Sequence, residues 1–245
     1  MGTKYILSLL LALSLSGGVM PAFGAISCGN VTPFNAASPT DPETIAYTTP
    51  AGSDQVLFVF VGNRRTISPN INVPTHAGGA MTVLDAEAFN SPAATKLFYK
   101  VNPTSGTNNV VVDFVGTPLA DAIVIFTCSG VDTASPIRAS NTATGTSTAV
   151  SVTVLGVQAG DVVLDFFVAD NTLSAPTIGA NQTNLNNGSD GTELAWGSSQ
   201  QDGVDGGVMS WTNAISEQWS ISAVAIKPLV APAAASTQFR RRLMP

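Results

Sequence analysis

The chain has 245 residues, of which 44% are hydrophobic, and this is enough to bury one large core or two small ones. Charged residues make up only 11%, well below the roughly 25% of ordinary soluble domains, so the surface must depend on Ser, Thr, Asn and Gly. The formal net charge is -6, and an acidic surface repels phosphate backbones, which argues against nucleic acid as a partner. The composition is more typical of an extracellular β protein than of a cytoplasmic enzyme.

The first segment has the three parts of a secretory signal peptide. Lys4 precedes an apolar run over residues 5–13, and Ala22, Phe23 and Gly24 provide the small residues of a cleavage site. The apolar run is shorter than the ~20 residues that a membrane-spanning helix requires. We therefore predict a signal peptide over residues 1–24 and a protein that is secreted, extracellular or held at the cell surface.

The two cysteines, Cys28 and Cys128, allow two interpretations. In an exported protein they most simply form one disulfide bond, which would close a long loop. Residues 25–28 also resemble a bacterial lipobox, in which Cys28 would carry a lipid and tether the protein to a membrane. The distance between the apolar run and Cys28 favours the disulfide, so a membrane is a partner only if Cys28 is lipidated.

Two similar apolar runs predict the central strands of the fold. Residues 54–63 contain the run Val56–Val61, and residues 161–170 repeat the pattern; each copy follows a turn that contains glycine. Both runs are short and rich in β-branched and aromatic residues, which indicates buried strands rather than helices. Before them, residues 25–50 are rich in Pro, Thr and Asn and predict an extended leader with an edge strand near Thr44–Thr48.

The remaining segments predict further strands and a duplication. Residues 207–212 and 217–226 match 110–114 and 122–128 in order and spacing. We therefore predict an all-β fold: a single two-sheet antiparallel β-sandwich, jelly-roll-like, over residues 51–229, with a pseudo-duplicated strand meander. An Ala- and Pro-rich flexible basic tail, residues 230–245, is expected to follow.

Several turn-and-strand signatures resemble a poorly characterised module of bacterial extracellular repeat proteins and of phage tail and structural proteins. They are residues 78–82, 97–103, 129–132 and 223–228. The resemblance covers about residues 50 to 228 and implies a jelly-roll-like sandwich with a role in a surface or an assembly. It implies no catalytic residues.

The long polar stretch over residues 181–206 suggests two kinds of ligand site. Trp196 and Trp211 flank it and could stack on sugar rings, with Asn187 and Asp190 as polar contacts. Asp190, Glu193, Asp202 and Asp205 offer hard oxygen ligands that would suit calcium, although their spacing matches no EF-hand. No other cofactor is expected.

No motif in the chain indicates catalysis. His76 is the only histidine, lies in a predicted surface turn and has no nucleophile motif beside it. Glu193 and Glu217 could form the carboxylate pair of a glycosidase, but acidic residues on the outer faces of strands are the common case. The chain is therefore predicted to be a non-enzymatic structural or adhesive protein that self-assembles through its strands, with other copies of itself as partners. The alternatives are a carbohydrate-binding module that recognises glycans, and a secreted glycosidase.

Overall fold

The structure is a computed structural model that describes residues 24–67, 71–170, 174–203 and 206–230. These ranges are built from antiparallel strands and contain no α-helix, so the predicted all-β sandwich is confirmed. They accordingly hold no helix of the length and apolarity that crossing a membrane demands. The predicted signal peptide lies outside the described residues except for Gly24, as does the predicted tail except for Val230.

The strands of the described ranges form three sheets. In chain order they are β1 Ser27–Ala36, β2 Glu43–Thr49, β3 Gln55–Arg64, β4 Thr75–His76, β5 Gly79–Ala80, β6 Thr82–Val83, β7 Ala88–Asn90, β8 Ala93–Val101, β9 Gly106–Val112, β10 Ala120–Ser129, β11 Ile137–Thr153, β12 Val162–Asp170, β13 Thr177–Ile178, β14 Thr183–Ser189, β15 Leu194–Asp202 and β16 Val208–Ile226. Sheet I has the order β1-β10-β3-β8-β6, with β7 also paired to β8. Sheet II has the order β11-β16-β12-β15-β14, with β13 also paired to β16, and sheet III has the order β2-β9-β4-β5.

The two apolar runs of the sequence lie at the centres of sheets I and II. Nearly every residue of β3 and every residue of β12 is buried, on both faces of its sheet. A strand without a polar face must be covered on both sides, as in sheets enclosed between two layers. For this reason the structure has three sheets where the sequence predicts two.

Three cores fill the spaces between the layers. Sheets I and II pack face to face around large side chains, among them Phe58, Phe60, Phe126, Phe166 and Trp196. The other face of sheet I packs on sheet III around Tyr47, Val59, Phe98, Val110 and Ile125. The other face of sheet II is covered by Val152, Met209 and Trp211, which pack on Phe167 and Ile221.

The cover of sheet II comes from the bending of its own longest strands. The pairing of β11 with β16 shifts in register between Ser147 and Ala149. Beyond this β-bulge, residues 149–153 and 208–212 pair with each other and, through β13, form a layer over the outer face of sheet II. Asn141 Nδ2 donates to Thr153 O at 2.9 Å, which ties the two arms of β11 together.

The two halves of the chain repeat one set of pairings. The arms of β11 correspond to β1 and β2, and the arms of β16 correspond to β10 and β9. β12 and β15 likewise correspond to β3 and β8. Residues 207–212 and 217–226, which match residues 110–114 and 122–128 in the sequence, therefore lie at corresponding places in the two sets of strands.

Residues 25–50 are part of the sheets rather than an extended leader. β1 pairs with β10 at the edge of sheet I, and β2 pairs with β9 at the edge of sheet III. The predicted edge strand near Thr44–Thr48 corresponds to β2. Alternate residues of β2 are buried, and Ile45 and Tyr47 belong to the core beneath sheet III because the strand has one apolar face.

The predicted disulfide bond is confirmed. Cys28 of β1 and Cys128 of β10 are direct neighbours in register, and their sulfur atoms are bonded. The bond therefore fastens an edge strand to the interior of sheet I. Because both sulfur atoms are used, the thiol that lipidation of Cys28 would require is already occupied.

Candidate functional site

The tryptophans that were predicted to form a sugar platform are buried. Trp196 is 6% exposed and lies in the core between sheets I and II, whereas Trp211 is 1% exposed and lies in the core on the other side of sheet II. Their indole N–H groups donate to Asn186 Oδ1 at 2.8 Å and to Asp165 Oδ2 at 2.7 Å. The two rings share no exposed face, so the prediction that Trp196 and Trp211 form a platform for sugar rings is wrong.

Glycines explain why these rings turn inward. Gly188 lies opposite Trp196, and Gly197 lies so close to Trp211 that a Cβ atom would be 2.8 Å from the ring. The absence of a side chain at each glycine leaves room for an indole on the sheet surface. The sequence contained both glycines, but the pairing register that brings each one to a ring is set by the fold.

The residues predicted to bind calcium do not converge on one site. Asp205 lies outside the described residues, and Asp202 is exposed at the end of β15. Asp190 Oδ1 accepts the backbone N–H groups of Thr192, Glu193 and Leu194 at 2.7 to 3.0 Å, so this carboxylate stabilises a turn. In the described ranges no three His, Cys, Asp or Glu side chains are grouped as metal ligands.

Glu193, one of the residues predicted to bind calcium, forms an ion pair with an arginine. Arg64, at the end of β3, forms ion pairs with both Asp170 and Glu193. The guanidinium therefore joins the end of sheet I to sheet II and neutralises two carboxylates. The sequence could not indicate this, because Arg64 is separated from Asp170 by 106 residues.

Asn187 also serves the fold. Its Nδ2 donates to Pro176 O at 2.8 Å, and its Oδ1 accepts from Asn184 Nδ2 at 2.9 Å. Both polar atoms of this predicted ligand contact are therefore engaged within the chain.

His76 is buried, not exposed on a surface turn as predicted. It is 0% exposed in β4, where it pairs with Val110 of β9. Burial, and then the positive charge of Lys100, lower the pKa of the His76 ring. The Lys100 Nζ atom donates to His76 O and to Gly79 O, both at 3.1 Å. His76 is therefore a neutral core residue near neutral pH.

Two buried carboxyl groups were not identified from the sequence. Burial, as the largest cause, raises the pKa of both Asp121 and Asp165 to about 7. Asp121 lies beside Glu43, whose negative charge raises the Asp121 pKa further, and its Oδ2 has no hydrogen-bond partner among the described residues. The sequence does carry a signal for both residues, because each is an acid within an apolar run of its strand.

Two surface pockets are present in the described part of the chain. One has a volume of about 190 Å³ beside the bulge of β1, and its polar lining includes Asn30, Gln55, Thr127 and Ser129. The other has a volume of about 260 Å³, and its lining includes Ala25, Asp161 and Asp202. The first pocket offers only neutral hydroxyl and amide groups, which suits an uncharged polar ligand.

The free edge of sheet II is the longest exposed strand edge in the described structure. β11 spans 17 residues and pairs, among the described strands, with β16 alone; its residues 137–147 form the edge of sheet II, and residues 149–153 belong to the outer layer beyond the β-bulge. Its only charged residue is Arg138, which is paired with Asp161, and it contains no proline. Proline and unpaired charge are the usual means by which an edge strand avoids pairing with another chain.

Side chains bond some of the backbone groups of this strand. Asn90 Nδ2 of β7 donates to Gly145 O at 2.6 Å. On either side of Gly145, Thr144 and Thr146 are exposed. The edge is therefore neutral and rich in threonine, and the backbone carbonyl groups of Gly145, Ala149 and Thr153 accept hydrogen bonds from side chains.

Comparison of the chain with protein-family models, with curated proteins and with solved structures gives no match.

Proposed function

We propose that this chain is a secreted, non-enzymatic structural or adhesive protein whose copies assemble through the free edge of β11. The observation that carries the proposal is the length of this edge together with its lack of proline and unpaired charge. Two such edges from separate copies can pair and extend sheet II across the interface. The disulfide between Cys28 and Cys128 supports the extracellular part of the proposal, because such bonds persist in oxidising compartments.

The proposal includes a jelly-roll-like arrangement for each half of the chain. It is supported by the order β1-β10-β3-β8 within the six-stranded sheet I, which also contains the short strands β6 and β7, and by the order β2-β9-β4-β5 of sheet III. Jelly rolls are built from eight strands in two sheets. The arms of β11 and β16 repeat these pairings in the second half. This arrangement would agree with the extracellular and phage modules that the sequence resembles.

Lysines introduced on the edge test the assembly. The double variant Thr144→Lys, Thr146→Lys places two charges on exposed positions of β11 and should block pairing without touching a core. Thr212→Lys is the matched control, since Thr212 is exposed but its strand is paired on both sides, with Ala149 and with Thr177. Light scattering after size-exclusion chromatography should show concentration-dependent oligomers for the wild type and for Thr212→Lys, and monomers for the double variant.

The same measurement can overturn the proposal. A wild-type protein that stays monomeric at all accessible concentrations would exclude assembly through any surface. Oligomers that persist in the double variant would exclude the β11 edge as the interface. Negative-stain microscopy of the wild type would then distinguish closed oligomers from filaments, as pairing through one edge should close after two copies.

Carbohydrate binding remains a second candidate because of the neutral polar pocket beside β1. Gln55 lines this pocket with an amide group suitable for the hydroxyl groups of a sugar, whereas the Asn30 amide N–H and the Thr127 hydroxyl are hydrogen-bonded to Thr48 O and to the Tyr47 hydroxyl. Glycan-array binding that is lost in Gln55→Leu and retained in Trp196→Phe would favour this function. Absence of binding to the array would remove it.

A further inference from the structure

A buried polar network joins sheet II to its outer layer. Asp165, at the middle of β12, accepts the backbone N–H and the hydroxyl of Ser199 on one oxygen, both at 2.7 Å. Its other oxygen accepts the indole N–H of Trp211 at 2.7 Å. All three side chains are at most 1% exposed. A serine hydroxyl in contact with a carboxylate is the arrangement of a nucleophile beside its base.

A carboxamide lies against the same serine hydroxyl. Gln182 Nε2 donates to Ser199 Oγ at 2.7 Å. Because a carboxamide C–N bond is about 1.3 Å long, Ser199 Oγ lies within about 4 Å of the Gln182 Cδ atom. A modest rotation of the carboxamide would therefore bring Cδ within attacking distance of the hydroxyl oxygen.

The oxygen of this carboxamide faces two hydrogen-bond donors. Gln182 Oε1 accepts the backbone N–H of Ser210 at 2.8 Å and the Ser210 hydroxyl at 3.3 Å. Donors in these positions stabilise the negative charge that develops on a carbonyl oxygen when its carbon is attacked. The site therefore holds a nucleophile and a base that are buried, with an electrophile and its hydrogen-bond donors that are half-buried, in one hydrogen-bonded network.

The environment of Asp165 suits it to proton transfer. Burial raises its pKa to about 7, while the hydrogen bonds from Ser199 and Trp211 act in the opposite direction. A carboxylate with a pKa near the ambient pH is a far better base than an exposed aspartate.

We propose that Ser199 and Gln182 condense to an intramolecular ester with loss of ammonia. Ser199 Oγ forms a bond to Gln182 Cδ while Asp165 accepts the hydroxyl proton. The C–N bond of the tetrahedral intermediate then breaks, and Nε2 leaves as ammonia after taking that proton from Asp165. The atoms balance without any oxidant, reductant or added group: a carboxamide and an alcohol give an ester and ammonia.

The crosslink would fasten β15 to the turn that precedes β14. Because Gln182 also contacts Ser210 of β16, the covalent bond would hold the outer layer against sheet II. This inference does not depend on the proposed assembly, since the reacting groups all lie within one chain.

Gly179 holds the reacting groups together as a positioning residue. A Cβ atom at this position would lie 2.1 Å from Ser210 Oγ and 2.6 Å from Gln182 Oε1. Gly179→Ala would therefore push the carboxamide away from its donors while leaving every reacting group in the chain. The φ angle of Gly179 is outside the left-handed region, but the Cβ atom would also lie 2.7 Å from the backbone oxygen of Ser210, so alanine displaces β16 as well as the carboxamide.

Intact mass spectrometry of the purified full-length product tests the proposal directly. The wild-type mass should be lower than that of the disulfide-bonded polypeptide by one molecule of ammonia, whereas Ser199→Ala should show the full mass. Cyclisation of Asn187 and Gly188 would also release ammonia, so the site must be located. After proteolysis, a crosslinked pair of peptides containing Gln182 and Ser199 is expected, and mild alkaline hydrolysis should leave glutamate at position 182.

Two further variants separate chemistry from stability. Asp165→Asn removes the base, and Gly179→Ala misplaces the electrophile; both should retain the ammonia. The mass and the melting temperature are measured independently. If the network were purely structural, the variants would differ from the wild type in melting temperature but would show no difference in ammonia loss. A wild-type chain of full mass, or an ammonia loss that maps to Asn187 or persists in Ser199→Ala, would overturn the proposal.

Discussion

Gly188 of β14 lies directly opposite Trp196 of β15, and the indole ring covers the position that a side chain would occupy at the glycine. A Cβ atom at Gly188 would be 2.6 Å from Cζ2 of the ring. Gly145 of β11 and Trp219 of β16 repeat this relationship, with 2.5 Å between the corresponding atoms. The two glycines therefore fix the orientation of two large rings on sheet II.

Gly188→Ala should destabilise the protein by about 1–3 kcal/mol, because the methyl group would force the Trp196 indole into the closely packed core between sheets I and II. Urea denaturation followed by tryptophan fluorescence measures the loss. Gly29→Ala is the control, since a Cβ atom at Gly29 has no described neighbour within 4 Å and no positive φ to accommodate. An unchanged free energy of unfolding in Gly188→Ala would show that the ring does not need the space.

Reduction of the disulfide should destabilise the fold by about 4 kcal/mol on the chain-entropy model, because Cys28 and Cys128 are 100 residues apart in sequence. The denaturation midpoint of the wild type should fall when a thiol reductant is added. The double variant Cys28→Ala, Cys128→Ala should start from the lower midpoint and show no response to reductant. Equal midpoints for the oxidised and reduced wild type would contradict this prediction.

Arg64→Gln should destabilise the protein by about 1–3 kcal/mol, because it leaves the carboxylates of Asp170 and Glu193 without their cation. A double-mutant cycle with Glu193→Gln measures the coupling between the two residues. Glu193 is 38% exposed, so its ion pair with Arg64 should contribute less to stability than the ion pair with Asp170. The contribution of Glu193 should also decrease as salt is added. A coupling energy of zero at low salt would show that Arg64 acts through Asp170 or through packing.

The sequence predicts the central strands well because their physical signal is local. The run Val56–Val61 has no polar face, and this alone places β3 in the middle of a sheet. A strand without a polar face also requires a layer on each side of its sheet. A third sheet could therefore have been predicted from the sequence. The bend of β11 could not be predicted from the sequence, because the bulge after Ser147 depends on pairing with β16, more than sixty residues later.

The site residues were less predictable because their roles depend on contacts that are distant in sequence. Trp196 is buried and its ring covers Gly188, its partner in register, while Glu193 forms an ion pair with an arginine from the other half of the chain. A tryptophan or an acid beside a polar loop has the same local sequence whether it is exposed or engaged. By contrast, Asp165 could have been noticed, because an aspartate between Leu164 and Phe166 in a buried strand must find hydrogen bonds.

The stability of the fold should decrease as the pH rises from about 4 to 7. The pKa values of Asp121 and Asp165 are about 7 in the folded state against a reference of 3.8, so the folded protein retains protons that the unfolded chain releases. The stabilisation is complete below the unfolded pKa and is lost as the pH passes through the folded value. His76 acts in the opposite direction, because its lowered pKa costs stability when the unfolded ring becomes protonated below about 6.5.

Asp121→Asn isolates one of these carboxyl groups. Asparagine removes the titration and offers an N–H group toward Glu43, so the variant should lose less stability than the wild type between about pH 4 and pH 7. The difference between the two profiles should be on the order of 3 kcal/mol at the neutral end. Urea denaturation at a series of pH values gives both profiles, with Asp113→Asn as a control for an exposed acid on the surface. A wild-type protein that becomes more stable toward neutral pH would contradict the predicted pH dependence of the fold. A variant profile parallel to that of the wild type would show that Asp121 is ionised in the folded state at acidic pH.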